Sequence, residues 1–574
     1  MINSKQLVDL PEVFVSFETE KIEGCRVVYL NETLANGQDS ATLLDHYSYL
    51  VNTSNVPNDQ AQVKTFMAER YGGDGIARNG GGGRCGFDGV WQLKGLGPNQ
   101  LVDHTVDLSH RDGYQCLHTA LYESIWAEII HEALPHGAVR TVAVLDTGLA
   151  YEKYGQPKIR GLIVREPVVR PAHFIRAIYF KQKHIDTLGE DAQRVKAAIG
   201  KLVDFLPFSE KTAGASSQQE RLESGLLELA ARYAEQFAAS RAKHISHNNV
   251  SESNIALNGA WLDVSGARLF THAVSSDRLN IERFNTEYRH AVYSLESLCY
   301  YLSKYSILTT EHSACILKKA LEHFTHQYTM HLSLYEVAQA GFSLWLLKSI
   351  ADHTAFATFS KHLRDLLDRN DFSVTTVKFG DDWEGHERWT GRLYIALLTA
   401  KAKTTPLVTP AGVNLSDEQA EQLHSSFNQL FELACSVANE HGISQPNFYR
   451  CMAINATRLN RSPLVLHELT ARIKGLRLNA QPDKALPTQA LADEAMQAAK
   501  LHLGNEEGLT IPFWRSDKLV IEFDPVAGLF IVNMAGQYLL PFDVLPGFGV
   551  SHNEVRTALQ FYRETWSMIN DTSL

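Results

Sequence analysis

Cysteine is scarce in this chain of 574 residues: seven are scattered along it, with no CxxC pair. An odd count without paired spacing argues against a disulfide framework and against a thiolate zinc site. Basic excess is missing as well. Asp and Glu total 65 against 54 Lys and Arg, a formal charge of −11, and nothing in that balance favours a binder of nucleic acid or of anionic membranes. No apolar run is long enough to span a bilayer. The opening MINSKQLVDLPEVF has neither a basic nor a hydrophobic signal region, so neither a membrane span nor a signal peptide is expected, and a reducing cytoplasm is the expected location. A GK[ST] Walker loop, a GxSxG elbow and a papain-like cysteine context are all lacking. With 44% hydrophobic and 21% charged residues, the composition is that of a globular protein of two or three packed regions.

What is present begins with glycine. Tyr71 to Gly89 reads YGGDGIARNGGGGRCGFDG. Backbone that approaches phosphate closely has no room for side chains, and successive N–H groups form an anion nest. The run leads into VWQLKG, a strand-like stretch ending near Lys94. CRVVYLN (Cys25 to Asn31), VRTVAVLDTG (Val139 to Gly148) and GLIVREPVV also read as strands. ALYESIWAEIIHEAL (Ala120 to Leu134) has helical spacing, PAHFIRAIYFKQ opens a helix on its proline, and Gln218 to Lys243 is strongly amphipathic. IALNGAWLDVSG predicts a short strand, a turn and a second strand. Helical patterns run from Glu282 to about Asp368, Thr404 to Asp417 reads as a linker or long loop, and Trp514 to Pro541 alternates like a β-hairpin.

Strands with one long helix, followed mainly by helices, is the order of a kinase. Lys94 on a strand after a glycine loop can pair with phosphate oxygens. Glu128 on the next helix can hold it, with Glu123 and Glu132 as competitors on that helix. Asn254 and Asp263 flank a turn and supply hard oxygen ligands suited to Mg²⁺. His323, His326 and His331 share a helix but lack an acidic partner and ligand spacing, so they read as structural. Cys85 sits among glycine N–H groups that can lower its pKa, although a small loop residue is the plainer reading. Trp91, Trp126 and Trp261 read as core.

These motifs resemble the SelO (YdiU) family, kinase-fold proteins that transfer AMP from ATP to protein side chains. The resemblance lies in Tyr71-Gly72-Gly73, in Gln92-Leu93-Lys94-Gly95-Leu96-Gly97-Pro98, in AEIIHEALPHGAVRTVAVLDTG, in AHFIR and in the segment from His247 to Ile255, and it covers about residues 65 to 270. It implies Glu128 as the helix glutamate, Arg176 as a phosphate-binding arginine, Arg165 or Arg170 as a second, Asn254 and Asp263 as metal ligands, and Gly80, Gly81, Gly82, Gly83 and Arg84 as the phosphate cover. Where the family has a basic aspartate this chain has Ser253, beside Glu252. Three readings stand: an inactive nucleotide binder, Glu252 as the replacement base, or an acceptor that needs none. A carboxylate is already ionised at neutral pH. The glycine segment also looks like that of MchC/MceJ-like proteins of siderophore-microcin maturation, which work with an acyltransferase-like partner. That likeness implies activation of a precursor peptide's C-terminal carboxylate, before its ester linkage to a glycosylated siderophore.

The expectation is therefore an α+β, two-lobed, protein-kinase-like fold. It comprises an N-lobe over 1–165, a helical lobe over 166–370 and a further region over 371–574. The site would use ATP and Mg²⁺ (or Mn²⁺), with Lys94, Glu128, Arg176 and Glu252 as catalytic residues. The alternatives are AMP transfer to Ser, Thr or Tyr hydroxyls and a nucleotide-binding scaffold for a partner.

Overall fold

The structure, a computed structural model, describes residues 5–53, 62–73, 81–102, 111–177, 191–208, 217–270, 278–370, 385–478, 487–504, 508–534 and 536–570. It is a mixed α+β protein built on an antiparallel sheet of eight strands. In chain order these are β1 (Phe14–Lys21), β2 (Arg26–Leu30), β3 (Tyr49–Leu50), β4 (Val63–Glu69), β5 (Cys85–Phe87), β6 (Gln92–Lys94), β7 (Thr141–Lys153) and β8 (Gln156–Arg165). Across the sheet they run β2-β7-β8-β6-β5-β4-β1-β3. The glycine segment thus connects β4 to β5, and Lys94 lies on a central strand between β5 and β8.

The apolar, β-branched run of β7 reflects cover on both faces. Val144 and Ile163 point into the larger core, with helix α2 (Leu117–Ala133). Their neighbours Ala143, Leu145, Leu162 and Val164 point the other way, toward helix α1 (Ser40–Tyr47). This is the period of two of a pleated strand. The helix Gln218–Lys243 begins at a capping box, Ser217 with Glu220, and ends where His244 turns left-handed at φ 57°. The expected helix at Pro171 is a single 3-10 turn, Pro171–Phe174. Its continuation falls in 178–190, outside the described residues.

A second apolar core joins Leu334 to Leu367 with Trp389 to Ile569. The boundary expected at 370 borders 371–384, outside the described residues, and the side chains on either side of that stretch share this one core. The expected hairpin at 514–541 is larger: four antiparallel strands, Ile511–Arg515, Val520–Asp524, Leu529–Asn533 and Gln537–Leu540, in that spatial order. Short turns at Ser516–Leu519 and Asp524–Gly528 divide the alternating pattern. The stretch 404–416 is a loop between the helices Trp389–Lys403 and Asp417–Glu440, with Leu407, Val413 and Leu415 packed on the second core.

Candidate functional site

The glycine segment leaves β4 under tight steric control. A Cβ on Gly72 would lie 2.3 Å from the Arg176 carbonyl oxygen, and one on Gly81 2.3 Å from that of Glu69. Gly81 also has φ 114°, so no other residue fits its backbone. The Gly82 N–H donates to Glu69 O at 2.8 Å and closes the return of the loop. Gly80 lies outside the described residues. Gly81, Gly82, Gly83 and Arg84 form one wall of a cavity of about 170 Å³ whose other walls include Lys94, Asn249, Ser253, Asn254 and Asp263. The expected loop, lysine and metal ligands therefore meet around one space.

Lys94 is buried, and its Nζ lies 2.8 Å from both carboxylate oxygens of Glu123 and 2.7 Å from Asp263 Oδ1. Glu128 does not hold it. That carboxylate takes Arg140, with Nη2 at 2.7 Å and Nε at 3.1 Å. Glu123 and Glu128 are five residues apart on α2, so they face directions about 140° apart, and only Glu123 points at the sheet's central strand.

Asn254 and Asp263 lie on the two arms of a narrow hairpin bridged at Ile255 and Trp261, a register that sets Asn254 opposite Leu262. Leu262 N–H donates to Asn254 O at 3.0 Å. Asn254 Nδ2 donates to Asn249 O at 2.7 Å, which leaves Oδ1 as its free ligand atom, met by Ser253 Oγ only at 3.4 Å. Asp263 is left-handed, φ 55°. Burial would raise its pKa, but the charges of Lys94, Arg165 and Arg170 hold the carboxyl well below the ordinary range. It is thus an anion at neutral pH. An ionised carboxylate and an amide oxygen on one rim form a donor set that fits Mg²⁺ beside phosphate.

The arginines separate by role. Arg165 Nη1 donates to Asp263 Oδ1 at 2.6 Å and its Nε to Gln92 Oε1 at 2.6 Å. Arg170 lies further back, donating to Ser253 O at 3.0 Å, 3.7 Å from Glu69 and with its guanidinium 4.9 Å from the centre of the Tyr71 ring. Arg170 and Arg176 are not among the cavity's described walls; Arg84 is. Arg176 belongs to the segment pressed on Gly72, and that segment is pinned by Arg194, which donates to His173 O at 2.6 Å and Ile175 O at 2.7 Å. Glu252 is likewise not a described wall. Its carboxylate lies against Gly73. Ser253 does line the cavity, with its Oγ 2.9 Å from Ser251 Oγ.

Sequence reasoning missed a buried polar layer behind the site. Glu69 accepts from Gln92 and from His173 Nε2 (2.9 Å). Burial works against its charge, but Arg170, His173 and Gln92 keep its pKa below the ordinary value. Strand polarity gave no signal for it: β4 also carries Lys64 and Thr65 and β6 ends in Lys94, so polarity does not single out Glu69 or Gln92. His247 is a buried neutral imidazole, its pKa lowered by burial to about 4, with Nε2 donating to Leu262 O at 3.1 Å. Burial raises the Cys85 thiol pKa, against the lowering considered from nearby N–H groups. Trp126 and Trp261 are fully buried and Trp91 is half-buried. His331 Nδ1 sits 3.6 Å from Glu235 Oε1, and among the described residues no three His, Cys, Asp or Glu form a metal-holding group. Nor is any described helix long and apolar enough to cross a membrane. No protein-family model and no curated protein matches this chain.

Proposed function

We propose that this chain is a SelO-like nucleotidyl transferase that activates the C-terminal carboxylate of a precursor peptide as an acyl-adenylate. One observation carries the reading. The Lys94 ammonium is held between Glu123 of the following helix and Asp263, at a cavity walled by Gly81 to Gly83 and Asn254. A strand lysine fixed by a helix glutamate, near a metal-site aspartate, is how protein kinases hold ATP. The two-lobed, kinase-like view of the fold rests on the same feature.

In this reading Lys94 and Arg84 bind phosphate oxygens, and the glycine N–H groups cover them. Asn254 and Asp263 would hold Mg²⁺ (or Mn²⁺), which neutralises phosphate charge when bound. The acceptor carboxylate attacks the α-phosphorus, the bond to the bridging oxygen breaks, and pyrophosphate leaves. No proton has to be removed from the acceptor. This favours a carboxylate over a hydroxyl, because Ser253 stands where a base is needed and Glu252 is turned to Gly73. Catalysis is then positioning and charge neutralisation. An acyltransferase-like partner would complete the ester in the cytoplasm.

The test is incubation with ATP labelled at the α-phosphate and a candidate peptide. Hydroxylamine-labile AMP on the peptide C-terminus supports the reading. Stable AMP on a hydroxyl supports protein AMPylation instead, and nucleotide binding without transfer supports a scaffold. Undiminished transfer by Lys94→Ala and Asp263→Ala would remove the site assignment.

A further inference from the structure

The loop that carries Asn254 is held from behind by one buried carboxylate. Glu287, in the turn after the helix Arg278–Thr286, is only 6% exposed. Its Oε1 accepts from Ser246 Oγ at 2.7 Å and from the Asn248 N–H at 2.7 Å, and its Oε2 accepts from the His247 N–H at 3.1 Å. Three consecutive residues thus hang on one side chain. The next residue, Asn249, lines the cavity, and its carbonyl receives the Asn254 side-chain N–H. That bond decides which end of the Asn254 amide is left for a ligand.

We infer that Glu287 is a positioning residue for Asn254: its carboxylate fixes the backbone of 246–248 and, through Asn249 O, presents the Asn254 Oδ1 atom toward the cavity. The inference rests on the metal-ligand role proposed for Asn254. The charged groups around the latch are Arg283, from the helix just before it, and Arg268, from the strand paired with Ser246. Both reach Asn248, Arg283 at its carbonyl (2.5 Å) and Arg268 at Oδ1 (3.5 Å). His247 contributes its backbone N–H, and its ring is neutral and turned to Leu262. His290, in the first turn of the helix Arg289–Lys304, donates its backbone N–H to Glu287 O at 3.3 Å.

The latch has a built-in proton dependence. Burial raises the Glu287 pKa to about 7, against the pull of Ser246, the Asn248 and His247 amides and Arg283. Protonation places a donor on the carboxyl. Oε1 already takes two donors, so the proton goes to Oε2 and opposes the His247 N–H. Below about pH 7 the loop therefore loses one of its three anchors. Glu287→Gln makes the same change at every pH.

The experiment has two readouts on the full chain. The first is hydrogen exchange of the 246–249 amides, corrected for intrinsic rates. Protection is expected to fall about tenfold from pH 8 to pH 6 in the wild type, and to be low at both pH values in Glu287→Gln. The second is calorimetric binding of Mg²⁺ with α,β-methylene ATP, expected to weaken about tenfold over the same range and to be weak and flat with pH in Glu287→Gln. Should Glu287→Gln not fold, the wild-type exchange profile alone decides. Protection that does not change with pH overturns the latch, and so does a Glu287→Gln exchange profile like the wild type's. Wild-type protein that binds no nucleotide, yet shows the pH-dependent exchange, overturns the proposed function and the tie to Asn254 while upholding the latch.

Discussion

At the residue scale, two glutamates on one helix separate the site from its scaffold. Glu123 touches Lys94 and Glu128 touches Arg140. Glu123→Gln removes one of the two carboxylate charges on a buried ammonium and leaves Asp263 as the other. Affinity for Mg²⁺ with a non-hydrolysable ATP analogue is expected to fall tenfold or more. Glu128→Gln leaves that affinity within about twofold but destabilises the fold by about 1–3 kcal/mol, the cost of weakening a buried charged hydrogen-bond pair. Calorimetry and denaturant midpoints measured side by side check both, and the reverse pattern would restore Glu128 to the site. Asp263→Asn is expected to cost about 3–5 kcal/mol, because the buried cations Lys94 and Arg165 then share Glu123 as their one carboxylate partner among the described residues. The depressed pKa of Asp263 has a defined sign: its contribution is present above the unfolded value, about 3.9, and is lost as pH falls through the folded value. In Asp263→Asn, unfolding measured between pH 5 and pH 2 should show a weaker acid dependence than in the wild type.

At the element scale, the strand lysine, the hairpin that carries Asn254 and Asp263 and the helix Gln218–Lys243 were legible in sequence because each carries a local signal. Glycine precedes β6, a turn separates Asn254 from Asp263, and the long helix has one apolar stripe and a capping box. The register of α2 was not legible. Twelve of its seventeen residues are buried, Glu123 and Glu128 among them, so its apolar pattern runs nearly all round and no phase shows which acid meets β6. Arg170 and Arg176 were out of reach for a different reason: their placement depends on Glu69, Gly72 and Arg194, which are distant in sequence. Glycines test this scale in opposite directions. Gly72→Ala must displace the Arg176 carbonyl, so a loss of at least about 1–3 kcal/mol and weaker nucleotide binding are expected. Gly475→Ala, in the helix Leu469–Leu478, meets nothing within 4 Å. It should raise stability by up to about 1 kcal/mol. Thermal melts of the pair check the contrast.

At the scale of the whole molecule, the C-terminal part is structurally continuous with the site. Val465, Leu466, Leu469, Ile473, Leu491 and Leu503 belong to the same core as α2. The helix Thr310–Gln339 contributes Leu332 and Tyr335 to that core and Leu334 and Val337 to the second. Buried Lys243, at the end of the helix that leads toward the loop carrying Asn254, donates to Ala133 O at 2.6 Å and Leu503 O at 2.7 Å. Its ammonium thus meets the last residue of α2 and the C-cap of the helix Thr488–His502, where helix dipoles favour a cation. Arg388 donates to Ala242 O at 3.0 Å on the same helix end. Lys243→Met keeps the volume but leaves two buried carbonyls without this donor, at about 2–4 kcal/mol. With the two cores joined in this way, they should unfold together. Trp126 and Trp261 report on the first core, Trp514 and Trp566 on the second. Urea unfolding followed in two variants, each keeping one of these pairs, should give coincident midpoints. Lys243→Met should lower both midpoints equally. A first-core midpoint that falls while the second stays fixed would show instead that the C-terminal part unfolds on its own, and that α2 is held without it.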